Sequence, residues 1–199
     1  MLKKYCIGGF YKSRDQYHHH DDSLLEDQWQ LEVYLHALGL MKKNKFKTVV
    51  DIGCGSAYKL VTYLGDYETI GLELPANVEN LRKKYPKKRW ETSNFSAKSN
   101  LSVDIVVCAD VIEHLIDPDE LLDYVKHIDF KYFVLSTPDR SLIYKPWNKG
   151  YYGPPENKAH VREWTFQEFR KYISSHFYII DHRITNLCQS AQMIICKSK

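Results

Sequence analysis

The chain has 199 residues, of which 44% are hydrophobic and 27% are charged, and this composition is typical of a single globular domain with a buried core. Its net charge of +3 comes from Lys and Arg residues spread along the chain, which argues against a nucleic-acid partner. It has no long apolar run, apolar signal core or Cys-x-x-Cys pair, so we expect a cytoplasmic protein with reduced thiols and no membrane contact.

The N-terminal part of the chain is predicted to form an arm followed by a helix. Polar and aromatic residues without periodicity precede a sequence at residues 23–26 that has the spacing of a helix capping box. Apolar residues at helical spacing, including Trp29, predict an amphipathic helix that ends near Gly39. We expect residues 1–44 to be a lid that belongs to the same domain as residues 45–199.

The first predicted strand ends in an acid and a glycine-containing loop. Asp51 is followed by Gly53, Cys54 and Gly55, and such a loop lets a nucleotide-like cofactor approach the backbone. A carboxylate at Asp51 would repel the pyrophosphate of NAD, and Tyr58 stands where a dinucleotide fold has its third glycine. S-adenosylmethionine (SAM) has no phosphate, and its ammonium and carboxylate suit this acid and this bare loop.

A second acid follows the next predicted strand, residues 68–73. Glu73 lies 22 residues after Asp51, where a β-α-β unit places the carboxylate that binds the ribose hydroxyls of a cofactor. NAD and SAM both have a free 2′-hydroxyl, so Glu73 does not distinguish them. The alternative is that Glu73 only caps the following helix, which has Pro75 in its first turn.

The remaining pattern predicts an α/β sheet. Strands are expected at residues 47–52, 68–73, 88–92, 103–108 and 132–136, and the fourth is a continuous apolar run of the kind buried on both faces. Two later β-rich runs, residues 177–184 and 192–196, are joined by a link too short for a helical crossover and predict an antiparallel hairpin. We therefore expect a Rossmann-like, doubly wound sheet of about seven strands, mostly parallel, with one reversed strand near the C-terminus and an N-terminal helical extension.

Several motifs near the predicted strand ends resemble those of one family. Residues 51–55 (DIGCG), 71–73 (GLE) and 103–115 (VDIVVCADVIEHL) are similar to motifs of class I SAM-dependent methyltransferases, specifically their small bacterial single-domain members. Residues 135–140 (LSTPDR) resemble the motif of the fifth strand in that family. Residues 160–165 (HVREWT) resemble a segment that reaches the active site in a subset of these enzymes.

The resemblance implies that SAM is the cofactor and S-adenosylhomocysteine (SAH) the product. In such enzymes an acid binds the ribose, residues after the third strand flank the adenine, and the end of the fourth strand lies near the methyl group. By position, these residues are Glu73, Asn94, Phe95, Ala109 and Asp110. The expected cofactor site is completed by Asp51, Gly53, Cys54, Gly55 and Leu74. The usual third glycine is replaced by Ala57, which is small enough to preserve cofactor binding.

Two residues are candidate catalytic bases, because methyl transfer to a hydroxyl requires alignment and removal of a proton. His160 lies in a long loop after the fifth strand, and such loops often cover substrates. Asp110 ends the fourth strand and is expected to face the methyl group. The alternatives are a surface position for His160 and a role in holding the cofactor or the loop for Asp110. His114 is expected to be structural.

Aromatic and basic residues near these candidates predict a polar substrate that can carry an anionic group, such as a nucleotide-linked sugar or glycan precursor. The resemblance implies surface-polysaccharide precursors as candidates. The histidine-rich arm around residue 18 is expected to close over the site, and the alternatives are a flexible arm or a metal site. We predict no metal, because the sequence shows no second ligand cluster. The expected substrate-binding residues are Tyr17, His18, His19, Trp29, Arg140, Tyr152 and Arg162.

The predicted function is SAM-dependent methyl transfer to an oxygen of a polar small molecule by a monomer or homodimer, with N-methylation left open. An NAD-dependent oxidoreductase and a non-catalytic SAM-binding protein remain alternatives. A nucleic-acid methyltransferase is disfavoured, because no basic face is evident and no Asn/Asp-Pro-Pro-Tyr motif follows the fourth strand.

Overall fold

The computed structural model describes residues 4–16, 25–26, 28–93, 95–96 and 98–199. Its strands are β1 (Thr48–Ile52), β2 (Glu68–Glu73), β3 (Arg89–Thr92), β4 (Ser102–Ala109), β5 (Asp129–Pro138), β6 (Tyr178–Asn186) and β7 (Ala191–Lys197). Its α-helices are α1 (Leu31–Asn44), α2 (Tyr58–Leu64), α3 (Pro75–Lys84), α4 (Pro118–Lys126), α5 (Arg140–Ile143) and α6 (Phe166–His176). Short 3-10 helices lie at Lys4–Cys6, Ile112–His114 and Lys149–Tyr152.

The described strands form one sheet in the order β3-β2-β1-β4-β5-β7-β6. Neighbours among β1 to β5 are parallel, whereas β7 runs antiparallel to both β5 and β6. The predicted fold class is therefore confirmed: a mostly parallel, Rossmann-like sheet with one reversed strand near the C-terminus. Because the chain reverses its winding direction between β3 and β4, the carboxyl ends of β1 and β4 lie side by side at the edge where ligands bind in such folds.

The two faces of the sheet are covered by different helices. Alternate residues of β4 separate the two cores, since Ile105 and Val107 pack with α1, α2 and α3, whereas Val106 and Cys108 pack with α4 and α6. All four side chains are fully buried. None of the helices in the described ranges is long and apolar enough to cross a membrane.

The N-terminal helix differs from its prediction at both ends. It begins at Leu31, after Gln30 in a left-handed conformation with φ of 64°, and it continues through Gly39 to Asn44. The helix passes Gly39 because Met41, two residues further on, is fully buried in the core. That burial outweighs the cost of about 1 kcal/mol for a glycine inside a helix.

The chain just before α1 is held by tertiary contacts instead of helical ones. The Leu25 carbonyl accepts a hydrogen bond from the Ser56 hydroxyl beside the glycine loop. The Glu26 carboxylate lies 2.7 Å from the Lys84 ammonium of α3. These long-range contacts replace the predicted first turns, and the rest of the predicted capping box, residues 23 and 24, lies outside the described residues.

Gly71 in β2 has no room for a side chain, and we expect Gly71→Ala to destabilise the fold by about 1–3 kcal/mol through overpacking. A Cβ atom there would lie 2.4 Å from two carbons of the buried Trp90 ring and 2.9 Å from the Cys54 sulfur. Urea unfolding measures the change. The matched control is Gly39→Ala in α1, where an added Cβ atom would have no atom within 4 Å. This substitution should stabilise the helix by about 0.5–1 kcal/mol. Equal effects of both variants would contradict the packing argument.

Candidate functional site

A cavity of about 850 Å³ opens at the carboxyl ends of β1, β2 and β4. It is lined by the glycine loop, the ends of these strands, the loop after β5 and the chain before α1. The predicted site residues in its wall are Trp29, Gly53, Cys54, Glu73, Leu74, Phe95, Ala109, Asp110 and His160. The fold therefore brings together residues that are far apart in sequence, because the carboxyl ends of parallel strands share one edge of the sheet.

The glycine loop requires its glycines for conformation and for space. Gly53 and Gly55 have φ angles of 71° and 54°, which L side chains rarely adopt. A Cβ atom at Gly53 would also lie 2.5 Å from a methyl carbon of Val111. Ala57 adopts φ of 56° at the start of α2, so the residue that replaces the family's usual glycine keeps a left-handed backbone. At Gly53 the loop thus presents bare backbone to the cavity.

Glu73 lies between the glycine loop and the start of α3. Its Oε1 accepts a hydrogen bond of 2.8 Å from the Gly55 amide, and its Oε2 accepts one of 2.7 Å from the Leu74 amide. The Asn77 side chain, also in the cavity wall, donates to the Gly55 carbonyl at 2.8 Å. These bonds fix a carboxylate at the end of β2. The sequence predicted Glu73 but offered no signal for Asn77, which occupies an ordinary helix position.

Asp51 is placed differently from its prediction. Its side chain is fully buried and does not line the cavity, whereas Tyr34 of α1 does. The Tyr34 hydroxyl donates a hydrogen bond of 2.9 Å to Asp51 Oδ2. Tyr34, which the sequence indicated only as a residue of a helix, thus contacts both Asp51 and the cavity. Gly55 does not line the cavity either, but it holds Glu73 through its amide.

Two acidic side chains lie at the end of β4 and in the turn that follows. Asp110 Oδ1 accepts a hydrogen bond of 2.6 Å from the Ser136 hydroxyl, and Glu113 Oε2 accepts one of 3.0 Å from Thr137. Burial raises the pKa of Asp110, and burial together with the charge of Asp110 raises the pKa of Glu113 well above its usual range. Glu113 was not among the predicted site residues, although it precedes His114 in the strand-four motif.

Two imidazoles adjoin these acids. The rings of His114 and His160 lie 5.0 Å apart, centre to centre, with planes at 80°. His114 Nδ1 lies 2.9 Å from the Ala159 carbonyl, and His160 Nδ1 lies 2.7 Å from Glu163 Oε1. His160 is buried in the cavity wall, so the alternative of a surface histidine is wrong. His114, expected to be structural, also lines the cavity.

The turn after β4 and the segment around His160 are joined by several hydrogen bonds. The Val161 amide donates to the Glu113 carbonyl at 2.8 Å, and the Arg162 guanidinium donates to the carbonyls of Leu115 and Ile116 at 2.7 and 2.8 Å. These contacts bring His160 beside His114. Arg162 is therefore buried and engaged with backbone, and it does not line the cavity. We no longer assign it to substrate binding.

Arg140 was also predicted to bind substrate, but it lies outside the cavity wall. It is 3% exposed, and its Nη2 donates to Glu168 Oε2 at 2.7 Å while its Nη1 donates to the Glu163 carbonyl at 3.1 Å. Its guanidinium lies over the Tyr11 ring, 4.2 Å from the centre. A guanidinium so engaged cannot also reach a substrate anion without breaking a buried ion pair.

The other predicted substrate residues divide into three groups. Trp29 lines the cavity and is 53% exposed, so it is positioned to meet a ligand. Tyr152 is exposed in a 3-10 helix and does not line the cavity. Tyr17, His18 and His19 lie outside the described residues, as does Asn94 of the expected adenine site.

Comparisons with known proteins agree with this geometry. A protein-family model described as "Methyltransferase domain" matches residues 17–192. The methyltransferase domain of bacterial CtHen1 is similar in structure, with 18% identity, a TM-score of 0.63, and coverage of 84% of this chain and 97% of that one. A search of curated protein sequences gave no match.

Two further solved structures share the fold. Magnesium protoporphyrin IX methyltransferase from Synechocystis with bound SAH has 14% identity and a TM-score of 0.63, and covers 87% of this chain and 86% of its own. A SAM-dependent methyltransferase from Clostridium acetobutylicum has 14% identity and a TM-score of 0.61, and the match covers 84% of this chain and 91% of that one. The family model spans most of the chain, and so the protein belongs to the methyltransferase-domain family as a class I, SAM-dependent methyltransferase.

Proposed function

We propose that the protein transfers the methyl group of SAM to an oxygen atom of a polar small molecule. The observation that supports this most directly is the cluster formed by Asp110, Glu113, His114 and His160 in the cavity wall beside the predicted methyl position. A hydroxyl must lose its proton as it is methylated, whereas a neutral amine attacks without prior deprotonation. Buried groups able to accept or stabilise a charge at this position therefore favour an oxygen acceptor.

The residues at the cofactor end fit SAM. Gly53 and Gly55 leave the loop without side chains, and the Glu73 carboxylate is fixed where two vicinal hydroxyls could donate to its oxygens. The dinucleotide-binding pattern is not matched at the start of α2, where Tyr58 stands at the position of its third glycine. When bound, SAM supplies a methyl group activated by a sulfonium. We assign the ribose to Glu73 and the floor of the methyl site to Ala109 and Asp110.

His160 is the candidate proton acceptor. Its Nδ1 faces the Glu163 carboxylate at 2.7 Å, which fixes the ring and leaves Nε2 as the basic nitrogen. Nε2 accepts a hydrogen bond of 2.9 Å from the Asn157 amide, which a substrate hydroxyl could replace. A base positioned in this way typically contributes about 10²- to 10⁴-fold to the rate.

A hydroxyl-rich substrate of moderate size is the class to test first. The cavity wall combines apolar surfaces from Trp29, Ile143 and Tyr144 with polar groups from Asn157 and Lys59. Flat apolar surfaces next to hydrogen-bonding groups suit sugar rings and nucleosides. We therefore retain nucleotide-linked sugars and surface-polysaccharide precursors as candidates, although the predicted arginine contacts no longer support an anionic group.

The proposal is tested in two steps. Calorimetric titration of the full chain with SAM, SAH and NADH should show micromolar binding of the two adenosyl ligands and none of NADH. Transfer of labelled methyl from SAM is then measured with nucleotide sugars, free glycans, amine analogues of both, and RNA. Transfer to a hydroxyl acceptor supports the proposal. Preferred transfer to the amines or RNA contradicts the assignment of an oxygen in a small molecule, and tight SAM binding without any transfer favours a non-catalytic SAM-binding protein.

A further inference from the structure

We infer that Glu113, His114 and His160 form a binding site for a divalent transition-metal ion in the wall of the cavity. One oxygen of Glu113 and one nitrogen of each imidazole lie within 4.8 Å of one another. The three residues come from the turn after β4 and the loop after β5, and hydrogen bonds between these two segments hold them together. Metal binding at this site does not depend on the proposed function. Any role of the metal in catalysis does rest on the proposed function.

The strongest indication of a ligand is the Glu113 carboxylate. Its side chain is fully buried, and Oε2 accepts the Thr137 hydroxyl. The other oxygen, Oε1, is buried too and accepts no hydrogen bond from the part of the chain that the structure describes. Burial of an uncompensated carboxylate oxygen is costly, and a cation bound between Glu113 and the imidazoles would remove this cost.

The outer partners of the two imidazoles are those expected around a metal ion. Histidine ligands usually bind their second ring N–H to a carboxylate or a backbone carbonyl, which fixes the tautomer and the ring orientation. His114 Nδ1 has the Ala159 carbonyl at 2.9 Å, and His160 Nδ1 has Glu163 Oε1 at 2.7 Å. Nε2 is consequently the candidate ligand atom of each ring. At His160, the metal would replace the hydrogen bond from Asn157.

The donor set favours particular ions. Two imidazoles and one carboxylate resemble catalytic zinc sites that keep a fourth position open, and imidazole suits Zn²⁺, Co²⁺ and Fe²⁺ better than Mg²⁺ or Ca²⁺. Metal–ligand bonds of about 2.0–2.2 Å require the cluster to contract slightly. Asp110 also lines the cavity but is not one of the three ligands.

Because all three ligand residues line the cavity, a fourth coordination position of a bound ion would be available to an acceptor there. A hydroxyl bound to the ion has a lowered pKa, so its proton can leave to solvent near neutral pH. In that form His160 is a metal ligand and no longer the proton acceptor. We predicted no metal because the sequence shows no second ligand cluster, and His160 joins Glu113 and His114 only in the fold.

The experiment titrates the metal-free full chain with Co²⁺, Zn²⁺ and Mg²⁺ after treatment with a chelator, without SAM or acceptor. One equivalent of Co²⁺ should bind and give visible absorption bands typical of nitrogen and oxygen ligands, and Mg²⁺ should bind far more weakly. Glu113→Gln and His114→Ala should each weaken Co²⁺ binding by at least about 100-fold, which exceeds the 10- to 100-fold expected for Glu163→Gln, an outer partner. His127→Gln, at an exposed position after α4, is the matched control and should not change binding.

Two results would contradict the proposed metal site. One is the absence of Co²⁺ binding to a folded chain, and the other is binding that survives in both Glu113→Gln and His114→Ala. Binding that is lost when His18, His19 and His20 are replaced together by Gln, yet kept in Glu113→Gln, would place the ion on the N-terminal arm instead. Thermal unfolding in the presence of chelator checks that each variant folds. Since no cofactor or acceptor is used, failure of the proposed methylation would leave these readouts unaffected.

Discussion

Replacing Glu73 with Ala is expected to weaken SAH binding by about 100-fold or more, measured by calorimetry on the full chain. Hydrogen bonds to a charged carboxylate contribute roughly 1.5–3 kcal/mol each, and two ribose hydroxyls can donate to Glu73. The carboxylate is already held in place by the Gly55 and Leu74 amides, so little ordering is needed when the ligand binds. A large share of its interaction energy should therefore appear as affinity.

The Glu73 experiment needs a control for loss of loop structure, because the same carboxylate holds the Gly55 amide. A 2′-deoxyribose analogue of SAH provides it: the native chain should bind the analogue about ten-fold or more weakly than SAH, and Glu73→Ala should not distinguish the two. Glu79→Ala, at an exposed position of α3, should leave both affinities unchanged. Discrimination against the analogue that persists in Glu73→Ala would show that another residue binds the ribose.

Glu168→Ala is expected to lower the free energy of unfolding by about 3–5 kcal/mol, measured by urea denaturation. The ion pair between Arg140 and Glu168 is buried, with side-chain exposures of 3% and 15%. Glu168 also accepts hydrogen bonds from the Gly8 and Thr165 amides. Removing the carboxylate leaves the Arg140 guanidinium without its counter-charge in the interior, and that uncompensated charge accounts for most of the loss.

Two further variants complete this test. The double variant Arg140→Met, Glu168→Leu removes both charges and should recover much of the lost stability, because paired apolar replacements can match a buried ion pair. Asp123→Ala breaks an exposed pair with Lys126 and should change stability by less than about 1 kcal/mol. A variant Arg140→Ala with near-native stability and a raised KM would contradict this account and restore Arg140 to substrate binding.

Arg140 also helps to hold the segment around His160 in place. Arg140 binds the Glu163 carbonyl, and the Tyr11 hydroxyl accepts a hydrogen bond of 2.9 Å from the Glu163 amide. Glu163 in turn faces the His160 ring. Arg140, which the sequence suggested for substrate binding, therefore lies one layer away, where it helps to position the histidine. A functional motif contains positioning residues as well as those that touch ligands, and residue type alone does not separate them.

Local rules predicted most of the sheet. Strand β2 has the predicted bounds, and β1, β3 and β4 differ from prediction by one residue at one or both ends. Buried parallel strands show as continuous apolar runs, which the sequence displays directly. The start of α6 also followed from local chemistry, since Thr165 and Glu168 form the capping box that their spacing indicates.

The start of α1 was wrong for a reason that local rules do not include. The spacing of residues 23–26 suits a helix cap, but Leu25 and Glu26 are engaged by Ser56 and Lys84. Contacts between segments distant in sequence outweighed a preference of about 1 kcal/mol for a helix start. Their presence beside the glycine loop could not be inferred from the N-terminal sequence alone.

The sequence by itself determined the sheet, the glycine loop and the acid at the end of β2, because continuous apolar runs, φ angles that favour glycine and the spacing of a β-α-β unit are local properties. Only the tertiary structure decided which charged residues reach the cavity. It buried Arg140 in an ion pair, placed Tyr34 between Asp51 and the cavity, and brought His160 beside Glu113 and His114. The physical reason is that desolvation and partner choice depend on neighbours in space, and a linear sequence does not specify them.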